Sequence, residues 1–104
     1  MTQAELFKLL KGGLGIPLAY GCFEKEQTPP YSVYYRERNS NNFADNTVYH
    51  SSPDFVLEVY VKKRDLALEE KIEQLFCDNE IPFEVEEIYL PEEKLRMIRY
   101  TFSI

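Results

Sequence analysis

The sequence predicts an α+β domain: an antiparallel or mixed sheet of about four or five strands, two helices packed on one of its faces, and a protruding hairpin. Three observations lead there. Two stretches carry apolar residues at helical spacing between recognisable caps; several others alternate, or concentrate β-branched and aromatic residues; and the connections are short enough for antiparallel neighbours. At 104 residues, the chain is one domain (1–104) with a single core, because small chains bury only around two thirds of the surface they expose when unfolded.

Thr2-Gln3-Ala4-Glu5 opens the chain like a capping box, the Thr hydroxyl accepting from the Glu5 amide while the carboxylate returns to the Thr2 amide. Leu6, Leu9, Leu10 and Leu14 follow at three- and four-residue spacing, with Lys8 and Lys11 turned outward near the end where the helix dipole favours cations. Gly12-Gly13 is expected to stop this helix. Ile16 to Gly21 reads as an extended lead-in, since the residue before Pro17 is pushed out of the helical region. Glu24 to Pro30 is a polar connector.

Tyr31 to Arg38 favours a strand, with Tyr31, Val33 and Tyr35 on one side and Ser32, Tyr34 and Arg36 on the other. The Asn-, Ser- and Asp-rich stretch Asn39–Asn46 then reads as a loop and Thr47–His50 as a second extended run, together a long-looped hairpin. Asp54 to Lys62 alternates most cleanly: Phe55, Leu57, Val59 and Val61 face one way, and Asp54, Val56, Glu58, Tyr60 and Lys62 the other. Asp65 is an N-cap for a second helix carrying Leu68, Ile72, Leu75 and Phe76 at helical spacing. That helix runs to about Asp78, where Asn79 is expected to take the left-handed conformation and Ile81-Pro82 blocks continuation. Two strands close the chain: Phe83, Val85 and Tyr89 alternate with Glu84 and Glu86, and Ile98, Tyr100, Phe102 and Ile104 alternate with Arg99 and Thr101.

Composition narrows the function classes. Hydrophobic residues at 44% and charged residues at 29% are globular proportions, and folding without a cofactor is expected. A formal net charge of -6, with Lys62-Lys63-Arg64 as the basic cluster, argues against a nucleic-acid footprint, which needs a clustered basic surface. No apolar run approaches the ~20 residues that span a bilayer, and the N-terminus lacks a secretory layout, so a membrane partner is not expected and the chain should be kept in a cytosol. Cys22 and Cys77, beside Phe23 and Phe76, read as small reduced core or near-core residues. With one histidine and no metal-ligand spacing, a structural zinc site is not expected.

Catalytic chemistry finds little footing. His50 would need an orienting carboxylate and a Ser or Cys beside it, and neighbouring Ser51 points to the opposite strand face. Gly12-Gly13-Leu14-Gly15 ends a helix instead of starting one and precedes no Lys-Ser or Lys-Thr, which rules out a phosphate loop. Glu80, Glu84, Glu86, Glu87, Glu92 and Glu93 read as a solvated acidic edge that blunts strand pairing, with docking to a basic partner as the functional alternative. Eight tyrosines and seven phenylalanines exceed what so small a core hides, and Tyr34, Tyr35, Phe43 and Tyr49 around the hairpin favour contacts with other proteins.

Pro30-Tyr31-Ser32-Val33-Tyr34-Tyr35, then Asn42-Phe43-Ala44-Asp45-Asn46 with Val48-Tyr49, then Phe55-Val56-Leu57-Glu58-Val59-Tyr60-Val61-Lys62-Lys63-Arg64-Asp65 and a glutamate-rich helix, form a pattern spanning nearly the whole chain. It resembles the small minor structural proteins of siphophage and prophage tail modules, in particular the tail-terminator or tail-completion group. The resemblance implies a non-enzymatic α+β subunit without cofactor or metal, assembled in a bacterial host cytoplasm into a hexameric ring at the head-proximal end of the tail tube. Its partners would be further copies of itself, the tail-tube protein and a head-completion or neck protein, with Arg36, Arg38, Asn42, Phe43, Asp45 and Tyr49 at the contacts. The alternatives are another neck protein, whether head-closure or connector, a small acidic regulatory binding module, or a minor enzyme using His50 or the carboxylates near Glu86.

Overall fold

The computed structural model describes residues 1–37 and 54–104 of the chain. Helix α1 (Gln3–Leu14) is followed by strands β1 (Leu18–Tyr20), β2 (Tyr31–Arg36) and β3 (Asp54–Val61), helix α2 (Leu66–Asp78), and strands β4 (Phe83–Leu90) and β5 (Leu95–Ser103). The strands form one mixed sheet in the order β1-β2-β3-β5-β4. β1 runs parallel to β2, and the remaining pairings are antiparallel. The fold is α+β, as the periodicities predict.

Local chemistry sets the helix ends. The Thr2 amide donates to Glu5 Oε1 at 2.9 Å and the Glu5 amide to Thr2 Oγ1 at 3.1 Å, which completes the capping box and holds the Glu5 carboxyl below its ordinary pKa. Gly12-Gly13 does not stop α1. The helix continues to Leu14 and ends at Gly15, whose φ of 71° is the left-handed cap. Gly13 instead serves packing, because a Cβ there would stand 2.7 Å from Leu75 Cδ2 on α2.

The end of α2 also corrects the expected cap. Asn79 sits at φ -104°, and Glu80 takes the left-handed position at φ 55°. The Glu80 and Ile81 amides donate to the Cys77 and Phe76 carbonyls at 3.1 and 2.9 Å, closing a Schellman motif with buried Ile81 at its hydrophobic position. Asn79 contributes through its side chain, its Nδ2 donating to the Leu75 carbonyl at 2.8 Å.

The core lies between the helices and one face of the sheet. Leu6, Leu10 and Leu14 of α1 and Leu68, Ile72 and Phe76 of α2 join Phe55, Leu57, Val59 and Val61 of β3 and Ile98, Tyr100 and Phe102 of β5. Phe76 meets Phe102 at 4.8 Å between ring centroids and Phe83 at 5.2 Å. Fully burying each such side chain contributes about 1.5–3 kcal/mol, which is why the two central strands carry the densest apolar runs. Tyr34 belongs to this layer. It is 3% exposed and packs between Tyr20, Phe7 and Phe55, so it is a core residue and not the contact aromatic that its place beside the hairpin suggested.

β2 lies inside the sheet. Its antiparallel partner is β3, in register Tyr31↔Tyr60 to Arg36↔Phe55, and the expected lead-in before it is β1, paired on its other side. Ser32, fully buried, ties the two together, its amide and its hydroxyl each donating to the Pro17 carbonyl at 2.8 Å. Among the described residues β2 pairs with β1 and β3; the expected partner Thr47–His50 and the loop before it lie outside the described residues. Cys22 and Cys77 are free and exposed, not near-core. Cys22 follows the turn at Gly21, and Cys77 falls on the outer side of α2 because its neighbour Phe76 takes the inward position.

Candidate functional site

The helices pack on one face of the sheet; alternate residues define the second face, on which Val33, Val56 and Met97 are buried. Tyr31, Val33 and Tyr35 of β2 stand beside Val56, Glu58 and Tyr60 of β3, then Met97, Arg99 and Thr101 of β5, then Glu84, Glu86 and Ile88 of β4. At its centre Glu58 accepts from the Tyr35 hydroxyl at 2.9 Å and from the Tyr60 hydroxyl at 2.8 Å, one on each carboxylate oxygen. Burial and then these bonds to Glu58 push both phenols above their ordinary pKa. Arg99, in register with Glu58 on one side and Glu86 on the other, has a buried Nε without a hydrogen-bond partner among the described residues.

Toward the end of this face where β2 begins, the chain from Gly21 to Gln27 and the turn between β4 and β5 wall a cleft of about 440 Å³. Its apolar wall is aromatic. Tyr31 stacks on Tyr60 at 4.9 Å between centroids and 18° between planes, and Phe23 meets Tyr31 edge-on at 5.8 Å. Its polar lining is acidic: Glu24, Glu26, Glu58 and Glu93, with Lys25 as the one cation among the described lining residues. Burial and then the charges of Glu93 and Glu26 raise the Tyr31 hydroxyl above its usual pKa, so the acidic field reaches the aromatic wall.

The margins of the sheet are the second feature. β1 ends it on one side with Tyr20 49% exposed, and β4 on the other with Val85 50% and Tyr89 53% exposed. Glu84 and Glu86, both exposed on β4, form the solvated acidic edge that the alternation predicts. Glu87 departs from it, lying 3.1 Å from Arg96 Nη1 and 3.8 Å from Arg64 Nε, while Arg64 also reaches Glu69 at 3.1 Å. The basic cluster is therefore partly neutralised by its own chain.

Of the contact residues expected from the sequence, Arg36 is exposed at the end of β2, its amide donating to the Tyr20 hydroxyl at 3.4 Å. Arg38, Asn42, Phe43, Asp45 and Tyr49 lie outside the described residues, as does His50. The cleft residues Phe23, Glu58 and Tyr60 escaped the sequence reading. The available signal was the Glu58/Tyr60 spacing on the less apolar side of β3; the pairing that stacks Tyr60 on Tyr31 joins residues far apart in the chain. Among the described residues, no group of three His, Cys, Asp or Glu could hold a metal ion, and no helix is long and apolar enough to cross a membrane. No protein-family model matches the chain, and no curated protein matches it.

Proposed function

We propose that this chain is a structural subunit of a phage or prophage tail, a tail-terminator or tail-completion protein that closes into a ring by self-association. The observation that carries the reading is the pair of sheet margins that expose large hydrophobic residues, Tyr20 on β1 and, among the carboxylates of β4, Val85 with Tyr89, at opposite edges of one sheet. Two different surfaces at opposite ends of a subunit favour head-to-tail contacts, and such contacts give a ring when the rotation between neighbours closes. Arg36, exposed at the end of β2 with its amide on the Tyr20 hydroxyl, would add a contact to a neighbour or to the tube and neck proteins.

The deciding measurement is native mass spectrometry with light scattering on the full chain over a range of concentrations. A discrete closed oligomer, six copies in the simplest case, is expected. A chain that stays monomeric at high concentration, alone and with the tail-tube protein, overturns the reading in favour of a small acidic binding module, which the carboxylate-lined cleft would serve.

A further inference from the structure

We propose that the cleft between the Gly21–Gln27 connector and the second face of the sheet receives an arginine side chain presented by a loop of a partner protein. The guanidinium would lie over an outer face of the Tyr31–Tyr60 stack and meet the carboxylates of Glu58, Glu93 and Glu26. This inference goes beyond the ring reading and does not rest on it: a monomer could carry the same site.

Three observations converge on that occupant. The first is chemical pairing of the walls. Stacked aromatic rings attract a cation through the negative potential of their faces, more so for the weakly hydrated, planar guanidinium than for a compact ammonium. Here Tyr31 and Tyr60 are held parallel and Phe23 braces Tyr31 from the side, so the wall is formed before any partner arrives.

The second is excess negative charge. Four carboxylates line the cleft with Lys25 as the one cation in the lining, Arg99 stands in register beside Glu58, and Lys25 takes part in none of the ion pairs among the described residues. Glu58 is fixed by the Tyr35 and Tyr60 hydroxyls, each of which takes a single lone pair of one oxygen, leaving further acceptor capacity on both. A carboxylate immobilised in this way loses little freedom on gaining a charge-assisted partner.

The third is exclusion by sign and size. The acidic lining repels phosphate groups, which removes nucleic acids and anionic lipid headgroups. A space of about 440 Å³, open to solvent, exceeds a single side chain, so the occupant includes the backbone that presents it. The apolar stem of an arginine would run along Phe23, Val33 and Leu95, covering them as long cationic side chains do elsewhere.

The test is an NMR titration of the full chain with N-acetyl-arginine amide and, separately, its neutral isostere N-acetyl-citrulline amide, following the ring signals of Phe23, Tyr31 and Tyr60. The arginine compound is expected to shift these signals saturably and the citrulline compound to leave them in place. The variants Glu26→Gln and Glu93→Gln, at exposed positions that should not disturb folding, are each expected to weaken binding about threefold, the effect of one surface ion pair. Equal shifts from both compounds, shifts that miss the cleft, or unchanged binding in the double Gln variant would overturn the proposal. The oligomeric state of these variants, read in parallel, separates failure here from failure of the ring reading.

Discussion

Gly13 and Leu75 mark the close approach of the two helices: a Cβ built on the glycine would lie 2.7 Å from Leu75 Cδ2 and 2.9 Å from Cδ1. The adjacent Gly12 has nothing within 4 Å of the same position. Two neighbouring glycines that look alike in sequence therefore differ physically. Gly12→Ala should stabilise by about 1 kcal/mol, because alanine removes backbone freedom from the unfolded chain without meeting a neighbour. Gly13→Leu should destabilise by about 1–3 kcal/mol through overpacking. Urea unfolding of the pair checks both, and equal behaviour would remove the packing role of Gly13.

Glu80 sits in the left-handed region at φ 55° as the pivot of the Schellman motif that ends α2. An L-residue there is strained by roughly 1 kcal/mol relative to glycine. Glu80→Gly is expected to raise stability by about that amount, and Glu80→Val to lower it. Thermal melts that rank the three proteins otherwise would contradict this account of the cap.

The raised phenol pKa values make the fold sensitive to alkali. Burial is the leading cause for Tyr31, Tyr34, Tyr35, Tyr60 and Tyr100 alike. In the unfolded chain these groups lose their protons near pH ~10, while the folded chain keeps them to higher pH. Above that point the unfolded state binds fewer protons, so stability, complete at lower pH, falls as the pH rises. Absorbance at the tyrosinate band should show a delayed, cooperative rise coinciding with loss of far-ultraviolet dichroism. Independent titration of every tyrosine at its ordinary value would refute it.

Cys22 and Cys77 are exposed and unpaired. Both should react with a chromogenic disulfide reagent in the native state, without denaturant, at similar rates and to completion. Protection of either thiol until unfolding would mean that it is covered by another surface.

The head-to-tail reading makes a mixing prediction. Tyr20→Ala disables one margin of the sheet and Val85→Glu with Tyr89→Lys the other, each change costing about 1–2 kcal/mol or more if the aromatic anchors the contact. Each variant alone should fail to close a ring. Mixed together, they should form dimers and nothing larger, because one intact surface remains on each. Rings in the mixture, or in either variant alone, would show that these margins are not the contact.

How much of this was legible beforehand follows from the range of the interactions involved. The capping box at Thr2, the Asp65 cap (its carboxylate accepting from the Leu68 amide at 3.1 Å), and the apolar alternation of β3 involve residues within a few positions of one another, and the sequence by itself determined them. The order helix, strands, helix, strand pair and the placing of both helices on one face were also legible there. Tertiary structure decided the rest. Only packing chose Leu14 over Gly12 as the end of α1, placed Tyr34 in the core while Tyr35 reached Glu58, made β1 a strand through Ser32 and Pro17, and inserted β5 between β3 and β4. The cleft is assembled from the connector, two strands and a distant turn. Its residues meet because strand register brings Tyr31 to Tyr60 across the intervening chain, a choice made by burying a whole sheet face at once, which no short window of sequence contains.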